Sequence, residues 1–242
     1  MSLELVAAAA VLGAALVAGP LLSRLALRLA AGYATAPEDA DPERDLAIPA
    51  TVVTRAPNRP GTVRVVAVTV VLAVLLGGAV LLVGLRPGLV ALVWSAGAAV
   101  VLAQVDLAVH RLPDRVVFPS IAVVTAAWLA DAVVLGTWDA LLRAVLAGLV
   151  TFGAAVAAAL VSPGGMGFGD VKLLGLLGMV LGWAGWGVLL GGVLLGLLVG
   201  ALGSVLLIAA GRAGWRTRVP FGPPLLVGGH LALWLAGPLP LA

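Results

Sequence analysis

Apolar residues run through this chain in blocks of membrane length, separated by short polar stretches. The blocks fall at roughly 3–22, 65–85, 88–105, 116–135, 140–161, 171–183, 187–210 and 221–240. Apolar runs of about 20 residues match the hydrocarbon core of a bilayer when coiled as helices. The stretch from Val171 to Gly211 is too long for one span. It breaks at "GWAGW", residues 182 to 186, which reads as a turn with interfacial tryptophans such as Trp183 and Trp186. The sixth span is then short, and a helix opening at Asp170 would begin inside the membrane boundary. The pattern predicts an all-α, polytopic membrane protein of eight transmembrane helices, residues 1–242 forming one integral-membrane domain. One long polar segment, 23–64, contains "PEDADPERD" and shows no hydrophobic periodicity. It reads as a mobile loop. No internal repeat is visible.

Composition agrees with this pattern. Of the 242 residues, 62% are hydrophobic and only 10% charged, with mean hydropathy +1.20, more apolar surface than a soluble domain needs. Abundant small residues suit closely packed membrane helices. The absence of cysteine excludes disulfides, zinc thiolate sites and thiol nucleophiles. No metal or cofactor is expected. The basic isoelectric point reflects few charges in total, so no nucleic-acid partner is expected.

The placement of the charges says more than their sum. Twelve of the 14 Lys and Arg residues fall in segments that alternate to one side: Arg24, Arg28, Arg44, Arg55, Arg59, Arg64, Arg111, Arg115, Lys172, Arg212, Arg216 and Arg218. Only Arg86 and Arg143 fall on the other side. The positive-inside rule then puts the 23–64 loop in the cytoplasm and both termini outside. Glu4 stands where a signal peptide would be positive, and Arg24 and Arg28 follow the first apolar run, so that run reads as a membrane helix.

Ionisable groups at membrane depth are costly and mark function by default. Most acids here have simpler explanations. Glu38, Asp39, Asp41, Glu43 and Asp45 lie in the polar loop, and Asp131 and Asp139 flank a short outside turn. Asp106, Asp114 and Asp170 remain, all at cytoplasmic helix ends. Asp114 follows Pro113 and reads as a helix cap. His110 reads as a solvated loop residue. Asp106 and Asp170 lie 64 residues apart in sequence but at the same face. Two close carboxylates cannot both ionise cheaply, and one charged plus one protonated acid can activate water against an amide. Asp170 alone could equally cap the sixth helix. The neighbouring Gly165, Gly167 and Gly169 allow unusual φ values and close passage of a substrate chain. A phosphate loop is excluded, because Asp170 stands where the lysine of that motif belongs. Lys172 reads as a snorkelling residue or the partner of a nearby carboxylate, able to bias Asp170 towards ionisation. The Pro220-Phe221-Gly222-Pro223 turn reads as a helix start.

Taken in order, Asp106, Pro113-Asp114, Gly167-Phe168-Gly169-Asp170-Val171-Lys172 and Pro220-Phe221-Gly222-Pro223 resemble the prepilin peptidases, or type IV leader peptidases, membrane aspartic proteases of the GxGD type. The likeness covers about residues 85 to 240, the expected peptidase core. It implies Asp106 and Asp170 as the catalytic pair, with Gly167, Gly169 and Lys172 beside the substrate. The implied substrates are prepilin-like precursors with a short basic cytoplasmic leader and a hydrophobic helix in the bilayer, cleaved after a glycine at that boundary. Larger members carry a cysteine-bearing loop and an N-methyltransferase activity, whereas this chain looks like a peptidase-only form. Oligomeric state has no signature here.

Two rivals define what would decide the matter. Presenilin-like and signal-peptide-peptidase-like enzymes show a tyrosine before the first aspartate and a Pro-Ala-Leu motif near the end. Here Val105 and "PFGP" stand instead. A cation channel or transporter could use Asp106 and Asp170 as ion ligands, but no chain of polar residues crosses the apolar spans.

Overall fold

The computed structural model describes residues 3–34, 60–161, 167–212, 214 and 219–238. Within them the chain forms eight helices and no strand. They are α1 (Leu3–Ala34), α2 (Thr62–Val83), α3 (Leu89–Val109), α4 (Asp114–Leu135), α5 (Trp138–Val161), α6 (Phe168–Ala184), α7 (Trp186–Ala209) and α8 (Gly222–Ala236). Six are long and apolar enough to cross a membrane. The exceptions are α6, with 17 residues, and α8, with 15. At a 1.5 Å rise per residue α6 is about 25 Å long, less than the roughly 30 Å hydrocarbon core. The protein is a polytopic helical membrane protein.

The expected spans each correspond to a helix, with two changes of length. α1 continues to Ala34 instead of ending near residue 22, so Arg24 and Arg28 ride on helix. Nothing stops it earlier, since "LLSRLALRLAAGYA" keeps good helix formers and no proline after Pro20. α8 ends at Ala236, where Gly237 takes φ +71°, short of the expected 240. The break at "GWAGW" is confirmed: Gly185 takes φ +145° between α6 and α7, a conformation that favours glycine. Residues 35–59, the body of the expected polar loop, lie outside the described residues, as do Gly165 and Trp215.

Small residues let the helices approach closely. α7 packs on α8 and α5 on α6. A Cβ at Gly228 of α8 would run into the backbone of Gly196 on α7, and one at Gly182 of α6 would run into Ala147 on α5. In a bilayer such backbone proximity replaces the hydrophobic drive that water gives soluble bundles. Long apolar side chains such as Leu198 and Leu206 on α7 face outward, as lipid contact requires.

The end of the bundle made by the α2–α3, α4–α5 and α6–α7 turns is knitted by polar contacts. Asp131 was expected merely to flank a turn. It is instead fully buried, accepting hydrogen bonds from Gly88 N–H (2.7 Å) and the Thr137 hydroxyl (3.2 Å), with Arg86 Nε 3.5 Å away. Arg143 donates to the carbonyls of Gly182 (2.8 Å) and Trp183 (2.7 Å), closing the C-terminal end of α6. Trp183 is a core residue, not an interface anchor: it is buried and stacks on Trp128 with ring centroids 4.1 Å apart. Packing overrides the interfacial preference of tryptophan here. Trp186, one turn away in sequence, stays exposed as expected.

Candidate active site

The other end of the bundle holds Asp106, Asp114 and Asp170. Asp106 sits in the last turn of α3 and is only 4% exposed. His110 ends that helix in the left-handed conformation, φ 53°, and its backbone N–H donates to the Asp106 carbonyl. His110 itself is exposed, as expected. The chain then turns through Leu112 and Pro113 into α4.

Asp106 Oδ2 accepts a hydrogen bond from the Gly222 N–H at 3.0 Å. Gly222 is the first residue of α8, so a free helix-start N–H is spent on this carboxylate. A Cβ at Gly222 would lie 2.8 Å from Asp106 Oδ2, so a larger residue there would push the carboxylate aside. The Pro-Phe-Gly-Pro turn is therefore a helix start, as expected, and also the seat of Asp106. Sequence reasoning missed that second role, although the glycine between the prolines was its visible trace.

Asp170 occupies the first turn of α6 and is half-buried. It is not the N-cap: Gly167 holds that position with extended φ −71°, ψ 145°, and Asp170 lies three residues on. From there its carboxylate turns back towards the Gly167 backbone N–H, as the third residue of a capping box does. Neither Gly167 nor Gly169 has positive φ, so the expected unusual backbone is absent at both. Gly169 is explained by a close approach: a Cβ there would lie 3.0 Å from Leu112 Cβ and 3.4 Å from Leu112 N.

Leu112 thus joins the two halves of the site. Its side chain nears Gly222 on the Asp106 side and its backbone lies against Gly169 on the Asp170 side. Buried Leu102, Val117, Leu173 and Leu226 surround it. The result brings Asp106 and Asp170, from α3 and α6, within electrostatic range of each other. Among the described residues neither is paired with a lysine or arginine, and no group of three His, Asp or Glu gathers as a metal would need.

Lys172 and Asp114 form a separate pair. Lys172 Nζ donates to both Asp114 carboxylate oxygens, at 2.7 and 2.8 Å. The ammonium also lies over the rings of Phe118 and Phe168, 5.1 and 4.8 Å from their centroids. Asp114 is therefore not a cap: Pro113 is the N-cap of α4 and Asp114 makes no capping bond. Lys172 finds its carboxylate on α4 and not in Asp170.

Sequence comparison bears on this geometry. Residues 93–210 match the type IV leader peptidase family, a region that holds Asp106, Asp114, Asp170 and Lys172. That stretch, just under half of the chain, is similar to the type IV leader peptidases. A Prepilin leader peptidase/N-methyltransferase of Pseudomonas putida is 37% identical over 153 residues, 60% of this chain and 49% of that protein. The protein of the same description from Pseudomonas aeruginosa is 45% identical over 69 residues, 28% of this chain and 23% of that one. The one from Bacillus subtilis is 32% identical over 133 residues, 55% of this chain and 50% of that one. The chain spans half or less of the length of these relatives. No solved structure matches it.

Proposed function

We propose that this chain is a type IV leader peptidase, a membrane aspartic endopeptidase that removes the short basic leader from prepilin-like precursors. The observation that carries the reading is that Asp106 and Asp170, two carboxylates with no lysine or arginine paired to either among the described residues, lie within electrostatic range at one end of the bundle. In such a pair one carboxylate takes a proton from water while the water oxygen bonds the scissile carbonyl carbon. The other, protonated, gives its proton to the carbonyl oxygen. Collapse of the tetrahedral intermediate breaks the C–N bond: the departing amine takes a proton from one carboxyl while a hydroxyl of the intermediate returns its proton to the other carboxylate. One water is consumed and no cofactor enters. Gly167 leaves the approach to Asp170 free of a side chain for an extended substrate segment, whereas Gly169, expected beside the substrate, faces Leu112. Lys172, expected beside the substrate, stays at the rim of this approach.

The charge distribution supports a cytoplasmic position for this end, with both termini outside. Asp106 and Asp170 share it with Arg111, Arg115 and Lys172. A precursor whose basic leader remains in the cytoplasm while its helix lies in the bilayer would present its scissile bond there. The relatives' descriptions name prepilin leaders, which agrees with this substrate class.

The test is co-expression with a prepilin-like precursor, following leader loss by mass spectrometry. Wild type is expected to cleave after a glycine at the leader boundary. Asp106→Asn and Asp170→Asn are expected to leave the precursor intact while accumulating normally in the membrane. Processing by either variant at the wild-type level would refute the pair.

A further inference from the structure

Asp114 and Phe118 stand four residues apart on α4, and Phe168 and Lys172 four residues apart on α6. Residues at that spacing share a helix face. The two faces meet, and Lys172 is enclosed by the other three side chains: a carboxylate held through both oxygens and two aromatic rings. The lysine side chain is 15% exposed and the aspartate 53%. An ammonium so covered loses less to water than one on an open surface, and the two-oxygen contact with flanking rings fixes its direction.

The positions of these residues matter more than the pair's strength. Asp114 follows Asp106 through one short connection, stiffened by Pro113 with φ −70°. Lys172 lies two residues after Asp170 in the first turns of α6. The pair therefore ties the helix end that carries one carboxylate to the helix start that carries the other. The other contacts named across this seam, Leu112 against Gly169 and Leu173 packed with Leu102 and Val117, are apolar and carry no directional bond. From this geometry we infer that Asp114 and Lys172 are positioning residues, a clamp that sets the spacing of Asp106 and Asp170. The inference rests on the reading of those two aspartates as the reacting pair.

Two measurements on the purified full chain test it together: backbone hydrogen exchange, and steady-state cleavage of a prepilin-like precursor. The variants are Lys172→Met, Asp114→Asn and Lys172→Arg, with wild type and Asp170→Asn as references. In Lys172→Met and Asp114→Asn, exchange is expected to quicken at the amides of residues 169–172. It is expected to stay unchanged at residues 179–183, which Arg143 holds from the other end. Their kcat is expected to fall about tenfold or more, the order that misplaced reacting groups cause, with KM little changed. Lys172→Arg, which keeps charge and reach, is expected to recover most of the lost kcat.

Unchanged exchange at residues 169–172 would show that the pair holds nothing, and would overturn the clamp. Faster exchange with kcat at the wild-type level would reduce the pair to a structural contact and overturn its positioning role. If wild type cleaves nothing while exchange still responds, the clamp on the α6 turn stands and the peptidase reading falls.

Discussion

Asp131 and Asp106 are buried carboxylates at opposite ends of the same bundle, 0% and 4% exposed, and their surroundings differ in kind. Asp131 has a guanidinium beside it, a backbone N–H and a hydroxyl donating to it. Its charge is compensated on every side the structure shows. Asp106 has one backbone N–H, from Gly222, the exposed His110 one turn on, and the field of a second acid. Burial of an acid is therefore a poor guide to chemistry by itself. The partner set separates them: one site is built to keep a charge quiet, and the other places two acids within each other's field, as the proposed shared proton requires. The same contrast separates Asp170 from Asp114, which lie at the same end but of which only Asp114 holds a lysine.

The contrast breaks most visibly under amide substitution. Asp106→Asn and Asp170→Asn are expected to lower leader cleavage by about 100- to 10,000-fold, the range of a lost acid–base group. Thermal unfolding in detergent should change little, because a repulsion is removed. Asp131→Ala should do the reverse. It strands Arg86, and breaking a buried pair costs about 3–5 kcal/mol of stability, read as a lower unfolding temperature. Turnover per folded molecule should stay near wild type. Replacing both partners together, Arg86→Met with Asp131→Leu, should recover most of that stability, since no buried charge is then left alone.

Gly222→Ala sharpens the comparison from the Asp106 side. The added methyl meets the carboxylate that the Gly222 N–H now holds. A displacement of that kind is expected to lower kcat by about 100-fold, with the protein still folded. Thr137→Val is the smallest of these changes. Asp131 loses one of its donors and stability falls by about 0.5–1.5 kcal/mol, with no effect on cleavage.

Much of this was legible from residue order. The eight helices follow from apolar run lengths, and the turn at Gly185 follows from a run too long for one span. The positions of Asp106 and Asp170 at one end follow from counting helices. What was not legible depends on side chains meeting across helices. Asp131 looked like a turn residue, because nothing in its own segment announces Arg86 from 45 residues earlier. Trp183 looked like an interface anchor until Trp128 was found stacked on it. Asp114 looked like a cap because Pro-Asp commonly starts helices. Its lysine lies 58 residues on, and only the packing of α4 against α6 joins them. The glycines of the Gly-Phe-Gly-Asp turn do not take the unusual φ that their type allows. Gly169 is required by the nearness of Leu112, a tertiary contact, and not by its own φ.

The pH dependence of kcat/KM for a prepilin-like precursor is the measurement to make on the purified wild-type chain. An acid–base pair requires a bell. Activity should fall at low pH as the proton-accepting carboxylate becomes protonated, and at high pH as its partner loses the proton it must donate. Asp131→Asn should give the same bell per folded molecule. A flat profile, or one with a single limb, would contradict a shared proton between Asp106 and Asp170.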